Sequence, residues 1–416
     1  MWQLIAEKSK WMALFFLSLC MIASLISVSA TTIIYILAFL FVLMSGHWRA
    51  IYTRMIGNKA ALSFLLLFSL FIVGTFYSTS TKQLMMQDLH KRHWMVMTPI
   101  FIAFIAEEKW RARMINIFLS AMIAILTLSY AKYFLHFDLA QKLGVFRTQE
   151  PACVFQDHIV QSFAMNMAAF IFGYRVLFQE KNRAFYTITF ILMMIDIIFM
   201  MHGRTGYAIF ILLLAYLSWI RFGLKGMFCA GLISIALIAF AFTFSSSFQL
   251  RAKNMVAHYQ HYSQIHTATS IGQRIEMYHI ADKMIKARPW FGYGTGGIRT
   301  AMQKMIPENE RVFNPSMDYV ESIYLNFLLQ FGVFGLAVLF IALGMQIKTT
   351  FALPHAYRCL MQAVLMAVLF GGLFNGFLVS FPISHFYALF SALCFSSLVA
   401  DPLRYKFRSG LTETRM

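Results

Sequence analysis

An all-α polytopic membrane protein with about twelve transmembrane helices is the fold class this sequence predicts, and three observations predict it. Of the 416 residues, 60% are hydrophobic and only 12% are charged, against roughly 25% charged in a soluble domain. The apolar residues form continuous runs close to 20 long, as helical spans do; strands of a membrane barrel would alternate. The formal net charge of +18 comes from basic residues scattered between those runs. That is where cytoplasmic loops of a membrane protein collect them, so the charge is no sign of a nucleic-acid partner.

Taken in order, the expected spans are 11–29, 31–46, 61–78, 94–106, 113–133, 156–174, 185–201, 205–220, 226–244, 322–346, 359–378 and 382–400. The basic start and Val28-Ser29-Ala30 resemble a cleaved signal peptide. The apolar run is as long as a full span, however, so a retained first helix is expected. Residues 81–93 are polar and predict a short helix on the outer surface. Loop charges orient the chain. Arg49, Arg54 and Lys59, then Lys109, Arg111 and Arg113, then Arg175, Lys181 and Arg183, then Arg221 and Lys225, then Lys348 and Arg358 mark inside loops. Both termini are therefore expected in the cytoplasm. Residues 1–244 hold nine spans, 245–321 form one large periplasmic loop containing helices, 322–400 hold three spans and 401–416 form a cytoplasmic tail. Five cysteines, Cys20, Cys153, Cys229, Cys359 and Cys394, show no CxxC and no metal spacing. No internal repeat is present.

Three constellations fall at outer helix ends. His202-Gly203-Arg204-Thr205-Gly206-Tyr207 opens the eighth span. An arginine at membrane depth is expensive and marks a functional site, unless Arg204 simply snorkels to the interface. Its flanking glycines would let a ligand approach closely. Thr269 to Tyr278 carries Ser270 with Gln273, a capping box that starts a helix near Ile271. Ile271, Ile275, Tyr278, Met284 and Ile285 approximate its apolar stripe. Arg274 lies near the N-terminus of that helix, where a cation is misplaced unless an anion joins it. A salt bridge to Glu276 or Asp282 is the alternative. The helix ends near Arg288-Pro289-Trp290, before a tight turn at Phe291 to Gly297 that lacks the GK[ST] of a P-loop. Third, Asp318 to Leu325 enters the tenth span with Glu321 at its mouth, where the helix dipole alone would favour a negative charge. His258, His261, His266 and His279 in the same loop read as surface histidines.

These motifs resemble those of the O-antigen ligase and polymerase superfamily of lipopolysaccharide biosynthesis. Gly203-Arg204-Thr205-Gly206 looks like its arginine motif. Thr269 to Gly296, with Arg274 and Tyr278 in R-x-x-x-Tyr spacing and a Pro-Trp-Phe-Gly-Tyr-Gly turn, is similar to its periplasmic signature. Glu321 to Leu336 resembles its stretch at the next span, except that Glu321 stands where the family has a histidine base. The resemblance implies a GT-C-like membrane fold and a metal-independent, inverting glycosyltransferase with no cofactor. It would move a glycan from undecaprenyl diphosphate to lipid A–core on the periplasmic face of a Gram-negative inner membrane, among membrane lipids. The expected catalytic residues are Glu321, Arg204 and Arg274. Arg204, Arg274, Arg147, Arg288 and Tyr278 are expected to bind substrate. No D-x-D metal motif occurs, so the arginines would neutralise the diphosphate. The alternatives are an O-antigen polymerase, then a protein O-glycosyltransferase. A secondary transporter is a further, lesser alternative: it would show two related halves and midplane polar residues, and this chain shows neither clearly.

Overall fold

The structure is a computed structural model describing residues 2–142, 150–201, 203–244, 270–305 and 319–398. Among the described residues every regular element is helical. The helices are α1 (Trp2–Ile26), α2 (Val28–Met44), α3 (Trp48–Gly57), α4 (Lys59–Thr75), α5 (Lys82–Lys91), α6 (His93–Phe104), α7 (Glu108–Leu135) and the short α8 (Leu139–Lys142). They continue as α9 (His158–Phe178), α10 (Arg183–Ile195), which runs on as a π turn over Asp196–Met200, and α11 (Arg204–Phe244). Then come α12 (Ser270–Ala287), α13 (Gly297–Met305), α14 (Ile323–Thr350), α15 (His355–Gly371) and α16 (Phe381–Phe395).

Among the described residues six helices are long and apolar enough to cross a membrane: α1, α7, α10 with its π turn, α11 to Ile233, α14, and α16 with the following turn to Leu398. Helices α4 and α15 are apolar but shorter, and α2 with α3 passes only as a pair bent by 113°. Large apolar side chains such as Ile188, Phe222, Phe228 and Ile341 stand exposed on these helices. Water would not tolerate so much uncovered apolar surface, and lipid does. The chain is a multi-pass helical membrane protein.

Each expected span falls on a helix, with differences at the ends. The eighth and ninth spans are not separated by a loop: α11 is continuous except at Gly223, whose positive φ of 64° breaks it. The eleventh was expected to reach 378, but α15 stops at Gly371 and residues 372–380 form a turn. Hydropathy alone could not see that stop, because Leu373, Phe374, Phe377 and Leu378 are apolar.

The bundle is chained through its middle. Helix α14 packs along α4, α4 on α6, α6 on α16, α16 on α15, α15 on α11, and α11 on α9. Aromatic rings fill the seams: Phe64, Trp94 and Tyr387 meet between α4, α6 and α16. One polar knot crosses the core, where the Gln346 amide donates to Ser63 Oγ at 2.9 Å and Tyr387 donates to Gln346. Buried polar groups without such partners would be expensive in a lipid-surrounded core.

The segment between α11 and α14 docks back onto the bundle. Met277, Ile280, Ala281 and Met284 are buried on α12, the i, i+3, i+4, i+7 pattern of one helix face. That face is rotated from the expected stripe, because Met277 and Ile280, not Ile275, point inward. The turn after α12 threads into a break in α14. At Gly332 φ is +65°, and a Cβ there would overlap the Trp290 backbone. Tyr293 N–H donates to Leu329 O at 2.9 Å and Gly294 N–H to Gln330 O at 2.7 Å. The carbonyls released by the break are thus satisfied by the turn, as buried backbone must be.

Candidate active site

Arg204 is the first residue of α11 and is exposed. Gly206, two residues on, serves packing. A Cβ at Gly206 would come within 2.8 Å of Ser162 on α9, and Asn166 donates to Gly206 O at 3.1 Å. The expected role of Gly206 as space for a ligand is therefore corrected: it lets two helices touch. Asp157 caps α9 beside this contact, accepting from Ile159 and Val160 N–H at 2.8 and 2.9 Å.

Arg274 reaches the same place from α12. Its Nη2 donates to Asn375 Oδ1 at 3.3 Å, and Asn375 Nδ2 donates to Thr205 Oγ1 at 3.0 Å and to Gly371 O at 3.3 Å. One buried amide in the 372–380 turn thus links Arg274 to the residue beside Arg204. The two guanidinium groups are close enough for their charges to repel. Asp282, one proposed salt-bridge partner of Arg274, is instead taken by Lys286 at 2.6 Å. Among the described residues Arg204 makes no hydrogen bond or ion pair, and Arg274 makes only the bond to Asn375.

Glu321 completes the cluster from the start of α14. It lies one residue before the N-cap Ser322, whose side chain accepts from Leu325 N–H. Asn326 clamps the backbone on both sides of it. Its Oδ1 accepts from Val320 N–H at 3.0 Å, and its amide donates to Val320 O and Ser322 O. The Glu321 carboxylate accepts the Gly376 N–H and faces Arg274. Burial pushes its pKa above the usual carboxylate range, with help from Asp157, while Arg274 and the Gly376 N–H pull the other way. Tyr278, one turn after Arg274, donates its hydroxyl to Glu321 O at 3.3 Å.

Other expected site residues lie elsewhere. Arg288 immediately follows α12, about 21 Å along the helix axis from Arg274 at 1.5 Å per residue, with its guanidinium over the Tyr293 ring at 5.2 Å. It is not part of this cluster. Arg147, His202, His258, His261 and His266 fall outside the described residues. His279 is exposed on α12, as expected. Asn375 was missed by sequence reasoning, although a lone Asn between Phe374 and Gly376 in an apolar run was a usable signal.

A second polar hub stands behind the first. Asp88 on α5, expected on the surface, is buried. It accepts from Arg92 Nη2 at 2.9 Å, Gln330 Nε2 at 2.6 Å and Gly296 N–H at 3.1 Å. Arg92 in turn donates to Leu378 O and Val379 O at 3.4 and 3.1 Å. Helix α5, the docked turn, α14 and the Asn375 turn are thereby tied together.

Fold and site together define a polytopic helical membrane protein that gathers two arginines and a carboxylate where three helices begin or end. Residues 189–340, a little over a third of the chain, match the family model described as O-antigen ligase. Arg204, Arg274 and Glu321 lie inside that match, whereas Asn375, Gly376 and Asp157, which hold or face them, lie outside it. No curated protein matches the chain.

Proposed function

We propose that this chain is an O-antigen ligase, a metal-independent inverting glycosyltransferase. It transfers a glycan from undecaprenyl diphosphate to lipid A–core on the periplasmic face of the inner membrane, using a twelve-span, GT-C-like fold. The observation that carries this reading is the convergence of Arg204, Arg274 and Glu321 around Asn375. Two guanidinium groups whose N–H donors are largely unspent form a receptor for an anion. A diphosphate leaving group needs that neutralisation as its bond to the anomeric carbon breaks.

Glu321 takes the proton from the acceptor hydroxyl. The oxygen attacks the anomeric carbon from the face opposite the diphosphate, which departs onto the arginines, and the configuration inverts. A carboxylate pushed above its usual pKa is a stronger base nearer neutral pH, as this step requires. Tyr278 lines the approach and anchors the Glu321 backbone. Because arginine supplies the positive charge, ligation is expected to continue in excess chelator. Recovery of a chelator-arrested enzyme by magnesium or manganese would contradict this.

The test is deletion of the gene followed by lipopolysaccharide analysis. Loss of all polymer from lipid A–core, with lipid-linked glycan accumulating, is the expected result. Cores still capped by a single unit would identify a polymerase instead.

A further inference from the structure

At the opposite end of the bundle, the start of α4 and the end of α14 frame a groove of about 450 Å³. The site lies beyond the far end of α4, about 25 Å away for 17 helical residues. Arg54 from the end of α3, Lys59 from the start of α4 and Lys348 near the end of α14 all line the groove, and among the described residues no Asp or Glu does. Arg54 donates only to Ala103 O, at 3.4 Å, and none of the three cations forms an ion pair among the described residues. Asn58 already satisfies the first N–H groups of α4, accepting from Ala60 and Ala61 at 3.0 and 3.3 Å. Lys59 therefore adds a positive charge at a helix N-terminus, where it is unfavourable without an anion.

Loop charges that serve only to orient a chain need not meet. Here three of them, from separate helix ends, share one concavity, and their repulsion is relieved by a bound anion. The surroundings select the kind of anion. Leu398 and Ala352 form part of the wall, and Ile347 and Phe351, next in the chain to lining residues, are exposed apolar side chains. A cationic pocket beside exposed apolar surface, between helix ends at a membrane boundary, matches an amphiphile with a negative headgroup.

We propose that this groove binds the phosphodiester headgroup of an anionic phospholipid. The inference requires that the helices span a membrane, but not that the distant site transfers glycan. The two therefore fail separately.

The full chain in neutral detergent is titrated with phosphatidylglycerol, phosphatidylcholine or inorganic phosphate, and thermal unfolding is followed. Phosphatidylglycerol is expected to raise the unfolding temperature with saturation, and the other two are not. Replacing Arg54, Lys59 and Lys348 together by Gln is expected to weaken the phosphatidylglycerol effect roughly fivefold per charge, or about a hundredfold in all. Lys348→Gln alone, at an exposed position, is expected to weaken it about fivefold, which keeps the test open if the triple variant does not fold. Replacing Lys181, Arg183 and Arg221 by Gln is expected to leave it unchanged. Equal shifts with phosphatidylcholine would overturn the proposal, as would a triple variant that responds like the wild type. A shift reproduced by inorganic phosphate would show a free-anion site and also overturn it.

Discussion

Two polar hubs sit near one another in this protein, and they are built to opposite rules. Around Asp88 the strong groups are largely spent, the buried Arg92 Nε being the exception among the described residues. Its carboxylate takes three donors at 2.6 to 3.1 Å, and Arg92 is buried beside it with two backbone carbonyls and the Phe71 ring at 5.2 Å. Around Asn375 the arginines are left unspent: Arg274 gives a single bond at 3.3 Å and Arg204 gives none among the described residues. A guanidinium has five N–H donors. The first hub is closed and holds segments together, while the second is open and waits for a partner. The same residue type thus plays two parts, and the difference lies in how many donors are already used.

The open hub should break catalysis and the closed hub should break folding. The largest effect is expected at Glu321→Gln, which keeps the shape but cannot accept a proton. Ligation by the purified protein should fall on the order of 10²–10⁴-fold while donor binding persists. Glu321→His should retain activity, because imidazole also accepts a proton. A folded Glu321→Gln protein with full turnover would remove Glu321 from the mechanism. Next come Arg204→Lys and Arg274→Lys. Lysine keeps the charge but loses the planar fork, and losses of about 10²–10³-fold are expected by analogy with removal of one oxyanion donor. Near-normal rates in both would show that the open hub is not the diphosphate clamp.

For the closed hub the readout is stability. Asp88→Ala leaves the Arg92 charge buried and unpaired, a change that typically costs about 3–5 kcal/mol. Thermal unfolding should show a large loss, and Asp88→Asn a smaller one because an amide still accepts. If Asp88→Ala unfolds like the wild type but transfers no glycan, the two hubs are one functional unit and the contrast drawn between them is wrong.

The sequence made different parts of this contrast legible to different degrees. The helices were readable because each buries apolar surface at a helical or continuous pattern, and Arg204, Arg274 and Glu321 were readable because charge is scarce in such a chain. The closed hub was not. Asp88 lies in a polar stretch that reads as a surface helix, and only the docked turn, more than 200 residues later in the chain, covers it. Asn375 was lost for a related reason. A span expected to reach 378 placed it inside the membrane, when α15 in fact ends four residues before it. The break at Gly332 was equally hidden, since glycine is common in membrane helices and only the approach of Trp290 shows why one is needed here.

The smallest effect is expected at Asn375, and it tests whether the open hub is positioned or merely adjacent. Asn375→Ala removes one hydrogen bond to Arg274 and one to Thr205. Neutral hydrogen bonds contribute roughly 0.5–1.5 kcal/mol each and bonds to charged groups more, so transfer should slow about tenfold. The pH profile carries the more specific signal. If Glu321 is the base, transfer requires it deprotonated, and the rate is expected to rise with pH through the Glu321 pKa, which burial already holds above the usual carboxylate range. Arg274 opposes that rise by favouring the carboxylate. If Asn375 holds Arg274 against Glu321, releasing it weakens this attraction, the Glu321 pKa climbs further, and the acidic limb of the profile moves to higher pH. Arg274→Gln should move the limb in the same direction and further, because it removes the charge outright. A residue that only packed the 372–380 turn would lower the yield of folded protein and leave the limb where it was. An Asn375→Ala enzyme with a slower rate but an unmoved limb would place Asn375 in the scaffold alone.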